Sequence, residues 1–164
     1  NGTSQYVDIP QSANLNTGIF SAEVWAYPTG GVGTYRGVIS SRNYPLGWVF
    51  YATGDNTWSF WINTSINGTS TMVHVDGPAI VMNQWTHLVM TFDGTTATLY
   101  VNGVKASSQL ITSYTSNTVN DETIGQGQPN NNFYFPGKVD EVSFYNYALS
   151  PTQVQNHYNA GKGH

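Results

Sequence analysis

The stretch WTHLVMTFDGTTATLYVNGVKA, from Trp85 to Ala106, reads as two alternating strands around Asp93-Gly94-Thr95, followed by the dipeptide Asn102-Gly103. A two-residue period of apolar and polar side chains is the pattern of a strand with one buried face. Asn-Gly is the strongest short hairpin signal, because both central residues of that tight turn need positive φ. Trp85 to Phe92 and Ala97 to Val101 are therefore expected as paired strands, with Val104 to Ala106 returning from the turn.

The same pattern extends in both directions. Tyr6 to Ile9 is a short strand stopped by Pro10. Phe20 to Tyr27 places Phe20, Ala22, Val24 and Ala26 on one face and Ser21, Glu23, Trp25 and Tyr27 on the other. Arg36 to Ser41 and Gly47 to Ala52 follow, with Asn43 to Leu46 turning between them. Thr57 to Asn63 sets Trp58, Phe60 and Ile62 against Ser59, Trp61 and Asn63; the first set is expected inside, leaving Trp61 partly exposed. Thr71 to Val75, Thr123 to Gly125 and Lys138 to Tyr145 complete the strands. Only Ser150 to Tyr158 reads as helix, with Ser150 as N-cap and Pro151 at the first position. Many short strands and one terminal helical turn predict an all-β sandwich in a single domain over residues 1–164.

Composition narrows the function classes. Only 9% of residues are charged, against roughly 25% in an average soluble domain. Nine acids against five bases leave a net charge of -4, so a basic footprint for nucleic acid is absent. No apolar run reaches the roughly 18 residues of a membrane span. Cysteine is absent, which excludes disulfides and thiolate metal sites. Five Trp and eleven Tyr exceed ordinary core needs and suit half-apolar contact surfaces. The chain is expected to be a domain of a larger secreted or cell-surface bacterial protein, beside other domains.

Catalytic signals are weak. Retaining glycoside hydrolysis needs two carboxyls about 5 Å apart, yet none of Glu23, Glu122 and Glu141 has a second acid two residues away. Asp121-Glu122 and Asp140-Glu141 are adjacent pairs, which a strand points to opposite faces. His74 and His87 have no partner at zinc-ligand spacing, and no nucleophile motif is present. The chain is therefore read as a non-enzyme, with both histidines as ordinary strand residues.

The order of several blocks carries a resemblance. Tyr6-Val7-Asp8-Ile9-Pro10, Phe20-Ser21-Ala22-Glu23-Val24-Trp25, Trp85 to Gly94, Leu99 to Gly103, Phe135 to Asn146 and Ala148-Leu149-Ser150 resemble the concanavalin A-like, laminin G-like family. The resemblance implies a two-sheet antiparallel jelly-roll sandwich with a short C-terminal helical turn. It leaves the ligand open: such domains bind polysaccharides, glycans or proteins, or space other domains. Asp140 alternates with Val142 and Phe144, which points it inward or to the sandwich rim, where a carboxylate needs hydrogen-bond donors or a cation. Calcium, an oxygen-seeking ion, is one solution and loop amides are the other. The position resembles the final-strand Asp that helps related jelly rolls hold a structural Ca2+ with N-terminal residues, which would here be Asn1 and Gly2.

Sugars present apolar C–H faces and hydroxyl rims, so a sugar site needs flat aromatic rings with a few polar groups. Tyr35, Arg36, Arg42, Tyr44 and Trp48 fall in one loop-rich segment that holds both arginines. Trp61, Asn131 and Tyr134 are added from the Thr57 strand and the Gln126 to Tyr134 loop. These residues are the candidates for binding a polysaccharide or other glycan, with the arginines favouring an acidic one. The alternative is a calcium-stabilised adhesion or spacer domain that contacts protein or the cell surface.

Overall fold

In the computed structural model, which describes residues 1–128 and 132–163, the alternating segments form eleven strands, a single-turn 3₁₀ helix at Ala13–Leu15 and one α-helix. The strands are β1 (Val7–Ile9), β2 (Phe20–Pro28), β3 (Arg36–Asn43), β4 (Leu46–Ala52), β5 (Thr57–Ile66) and β6 (Thr69–Ala79). They continue as β7 (Thr86–Phe92), β8 (Thr96–Val101), β9 (Val104–Leu110), β10 (Glu122–Ile124) and β11 (Gly137–Tyr145), and the helix α1 is Pro151–Gly161. Two antiparallel sheets result, one in the order β1-β10-β3-β4-β5-β6 and one in the order β11-β2-β7-β8-β9. This is the jelly-roll sandwich expected.

The opening hairpin forms as read. Asn102 and Gly103 have φ of 52° and 78°, and the Asp93 Oδ1 accepts from the Thr95 and Thr96 amides at 2.8 and 2.7 Å. β6 and β9 run further than their apolar patterns, because each is held by its neighbour's backbone rather than by burial.

The core lies between the sheets. From β2 it takes Phe20, Ala22, Val24 and Ala26, and from β5 Trp58, Phe60 and Ile62, as alternation requires. Burying such a side chain contributes about 1.5–3 kcal/mol. Trp48 belongs here too, correcting its assignment to a binding surface. It is 3% exposed, and its ring lies 5.6, 6.1 and 6.2 Å from Phe20, Phe60 and Phe144. On β4, Trp48, Phe50 and Ala52 form the inner face, so Val49 and Tyr51 face outward.

Asp140 also departs from its expected position. β11 shifts register between Asp140 and Ser143, and Glu141 takes φ of 50° at that bulge. The extra residue resets the alternation. Val139 and Phe144 pack on the core while Asp140 stands exposed, its Oδ1 accepting from the Glu141 amide. At the chain's start, a Cβ on Gly2 would meet the Pro136 side chain at 2.5 Å. The Asn1 side chain is already used, its Oδ1 accepting from the amides of Thr3, Ser4 and Gln5. The side-chain oxygens of Asn1 and Asp140 each serve neighbouring amides, and Gly2 packs on Pro136. Among the described residues no group of three or more His, Asp or Glu is arranged to hold a metal ion.

The helix is fastened to the outer face of the five-stranded sheet. Ser150 and Gln153 form a reciprocal capping box, and Leu149 and Val154 pack on Val89 and Tyr100. A buried carboxylate completes the joint. Glu23 Oε1 meets His87 Nε2 at 2.6 Å, and its Oε2 meets His157 Nδ1 of the helix at 2.9 Å and the Tyr145 hydroxyl at 3.1 Å. His87 is thus a strand residue with a structural task, the hydrogen bond to a buried carboxylate. Burial pushes the Glu23 carboxyl up, but the hydrogen bonds and charges of the two histidines outweigh it, holding the group below its ordinary value. With Glu23 ionised, both imidazoles donate.

Glu23→Ala strands the buried His87 donor and should lower unfolding free energy by about 1–3 kcal/mol in denaturant titration. A depressed carboxyl stabilises the fold above its unfolded value and loses that contribution as pH falls through the folded one. The stability gap between the natural protein and Glu23→Gln should therefore shrink below about pH 4. At the other sheet, a Cβ on Gly37 would meet the backbone of Gly127 at 2.0 Å. Gly37→Ala should cost on the order of 1–3 kcal/mol by overpacking, read as a lowered Tm.

Candidate binding site

The outer face of the six-stranded sheet carries an aromatic basin. Tyr51 on β4 and Trp61 on β5 point outward by alternation, opposite Trp48, Phe50, Phe60 and Ile62. Arg42 on β3 reaches the same face, Tyr35 stands just before β3, and Tyr44 lies between β3 and β4. With Gln128 and Phe133 from the loop after β10, these residues line a hollow of about 340 Å³.

The rings meet edge to face. Tyr35 lies 5.4 Å from both Tyr51 and Trp61, and Tyr51 lies 5.1 Å from Trp61. His74 on β6 stacks flat on Trp61 at 3.8 Å. The Trp61 indole N–H donates to Ser59 Oγ at 2.9 Å, and Ser59 donates to Asp76 Oδ1 at 2.6 Å. These bonds hold the indole by its polar edge. Tyr44 is the most open ring of the set, at 61% exposed.

Arg42 lies among these rings. It is only 5% exposed, with its guanidinium carbon 5.0, 5.9 and 5.7 Å from the Tyr44, Tyr51 and Trp61 ring centres. Its Nη1 donates to the Tyr51 hydroxyl at 2.8 Å, while its Nε is buried without a partner among the described residues. Among the described residues, no carboxylate forms a salt bridge with it. Ring faces compensate part of the desolvation of such a cation, but a buried N–H with no acceptor remains costly. Burial pushes the Tyr51 phenol up, against the pull of Arg42, and burial likewise pulls the His74 imidazole down. The basin therefore sets one guanidinium beside a phenol and an imidazole whose charged forms burial disfavours.

Of the sequence candidates, Tyr35, Arg42, Tyr44 and Trp61 are brought together. Trp48 is in the core. Arg36 is also withdrawn: it is buried, and its guanidinium donates to the Gly30 and Thr53 carbonyls and to Asn56 Oδ1. It clamps two loops, and burial pulls it below its ordinary value. Tyr134 opens on a different hollow, and Asn131 lies outside the described residues. Tyr51, Phe133, Gln128 and His74 were not among the candidates. Tyr51 was legible from the alternation of β4, whereas Phe133 arrives from a loop more than seventy residues further along the chain.

A second hollow, of about 280 Å³, opens beside the helix and is lined by Glu23, Glu141, Tyr145 and His157 among others. It holds two glutamates, but both Glu23 oxygens are taken by the histidines and Tyr145.

Among curated protein sequences none matches the chain. Solved structures match in fold. A SAP-like pentraxin from Limulus polyphemus superposes with a TM-score of 0.73 at 15% identity, over 98% of this chain and 78% of that one. The binding domain of Paraclostridial Mosquitocidal Protein 1 gives 0.71 at 19% identity, over 94% of this chain and 40% of that one. The botulinum neurotoxin serotype G binding domain gives 0.70 at 17% identity, over 98% and 46%. The chain thus spans less than half the length of the two toxin domains. A family model for the concanavalin A-like lectin/glucanases superfamily matches residues 1–155. With the two-sheet jelly roll, that match places the chain in the concanavalin A-like lectin/glucanase superfamily, as a laminin G-like domain.

Proposed function

We propose that this is a non-catalytic carbohydrate-binding module that takes a glycan in the basin of Tyr35, Arg42, Tyr44, Tyr51 and Trp61. The observation that carries this reading is Arg42: a buried guanidinium framed by rings, with an Nε that has no partner and no carboxylate on it among the described residues. Guanidinium groups pair bidentately with carboxylates, and the rings beside it suit the C–H faces of a sugar. An acidic unit such as a uronate answers both features. The lectin-like fold of pentraxin and of toxin binding domains supports a binding role.

The absence of a catalytic role in this reading rests on the carboxylates. Retaining and inverting hydrolysis both need one carboxyl held protonated as the acid. Glu23 is held ionised by its histidines. Glu122 is pushed up by burial, but it lies inside the sandwich beside Trp48, Ile9 and Leu15. A secreted or surface location beside other domains of a larger protein fits this role.

The test is binding to a panel of neutral and uronate-containing polysaccharides, followed by tryptophan emission, since Trp61 lines the basin. Binding to a uronate polymer is expected, weakened by about 2 kcal/mol, or roughly thirtyfold, in Tyr44→Ala and Arg42→Lys. Tyr44 is mostly exposed, so its loss should leave Tm unchanged. Binding that survives both substitutions would reject this basin. Absence of binding across the panel would favour the adhesion or spacer alternative.

A further inference from the structure

The outer face that carries the basin holds a second hollow, of about 490 Å³, that the first does not use. Its lining includes Tyr6, Asp8, Asn120, Asp121 and Tyr134. The two hollows are in register. Asp8, Thr123, Ser40, Val49 and Trp61 pair in turn across β1, β10, β3, β4 and β5. They form one cross-strand row on one face. Four strand spacings of roughly 4.8 Å put Asp8 and Trp61 about 19 Å apart.

The base of the loop after β10 lies over the middle of that row. Thr123 Oγ1 donates to the Gln126 carbonyl at 2.7 Å, and Gly127 packs against the Tyr51 ring. The Gln126–Tyr134 bridge closes this base. Consecutive residues leaving it point to opposite sides, so Phe133 lines the Arg42 basin and Tyr134 the second hollow. Asn120 joins them as well: it lines the second hollow, and its Nδ2 donates to the Arg42 carbonyl at 2.9 Å.

The chemistry of the two ends is opposite. One holds a cation among rings. The other holds two carboxylates beside a ring pair, with Tyr6 and Tyr134 centred 6.0 Å apart. Asp121 Oδ1 accepts from the Gln11 amide at 2.9 Å, which orients its carboxylate. Carboxylates accept hydrogen bonds from sugar hydroxyls and repel a second uronate. Building on the basin reading, we propose that this second hollow is a subsite for an uncharged, hydroxyl-rich sugar unit of the same chain. The domain would then read a glycan in which acidic and neutral units alternate, straddling the loop base.

Titration calorimetry with hyaluronan and unsulfated chondroitin oligosaccharides, whose uronates alternate with neutral amino-sugar units, tests this against oligogalacturonides, which are uronate throughout. The alternating decasaccharides should bind at least roughly tenfold more tightly than their disaccharides. Tyr6→Ala combined with Asp8→Ala should erase that gain while leaving disaccharide binding and Tm unchanged. Asp8→Asn combined with Asp121→Asn should raise the affinity for the oligogalacturonide decasaccharide. Disaccharide binding that depends on Arg42 without any gain from length overturns the second subsite alone. So does a gain that persists in the Tyr6/Asp8 variant. Failure of every oligosaccharide to bind overturns the basin reading and this one together.

Discussion

The outer surfaces of this domain follow from the inner ones. Phe20, Trp48, Phe60 and Phe144 meet ring against ring between the sheets, and their burial commits every second residue of their strands to the core. The intervening residues are then delivered outward with no freedom to turn back. Trp48 and Phe50 inward means Tyr51 outward; Phe60 and Ile62 inward means Trp61 outward. Arg42, Tyr51 and Trp61 thus stand on sheet backbone, which leaves them little conformational entropy to lose on binding, while Tyr35, Tyr44 and Phe133 are added around them from the connections.

Charge is scarce in this protein, and its buried charged groups are handled in different ways. Arg36 and Arg42 are both buried guanidiniums without a carboxylate salt bridge among the described residues, yet their surroundings differ. Arg36 is met by two loop carbonyls and a side-chain amide, and its role is structural. Arg42 is met by ring faces and one phenol, which stabilise a cation without supplying a second strong acceptor. Glu23 shows the contrasting solution, a buried carboxylate satisfied by two imidazoles and a phenol. Both arginines keep a buried Nε without a partner among the described residues; what separates them is that carbonyl and amide oxygens engage both terminal nitrogens of Arg36, whereas Arg42 has one phenol and ring faces.

Much of the site was readable before folding, but unevenly. Tyr35, Arg42, Tyr44 and Trp61 were marked by clustering and alternation, and the structure gathers them. Trp48 and Arg36 stood in the same segment with the same residue types, and nothing local separated them from their neighbours. For Trp48 the parity was available, since it lies two residues before Phe50 on β4. Arg36 was different, because its acceptors come from loops that only tertiary structure brings within reach. Asp140 was misplaced by the bulge at Glu141, whose single extra residue reverses the face of everything after it.

The sequence by itself determined the strands, their inward faces, the Asn102-Gly103 turn, the capped terminal helix and the family. These are local or periodic properties, written in residues a few positions apart. Only tertiary structure decided which outward residues share a surface. Sheet order sets β1, β10, β3, β4 and β5 side by side although β10 follows β5 by more than fifty residues, and Phe133 and Tyr134 turn to different hollows on their common face. It also brought His157 of the helix to Glu23 of β2. Such contacts depend on long-range pairing, whose partners are chosen by the shape of the whole core rather than by any neighbouring residue.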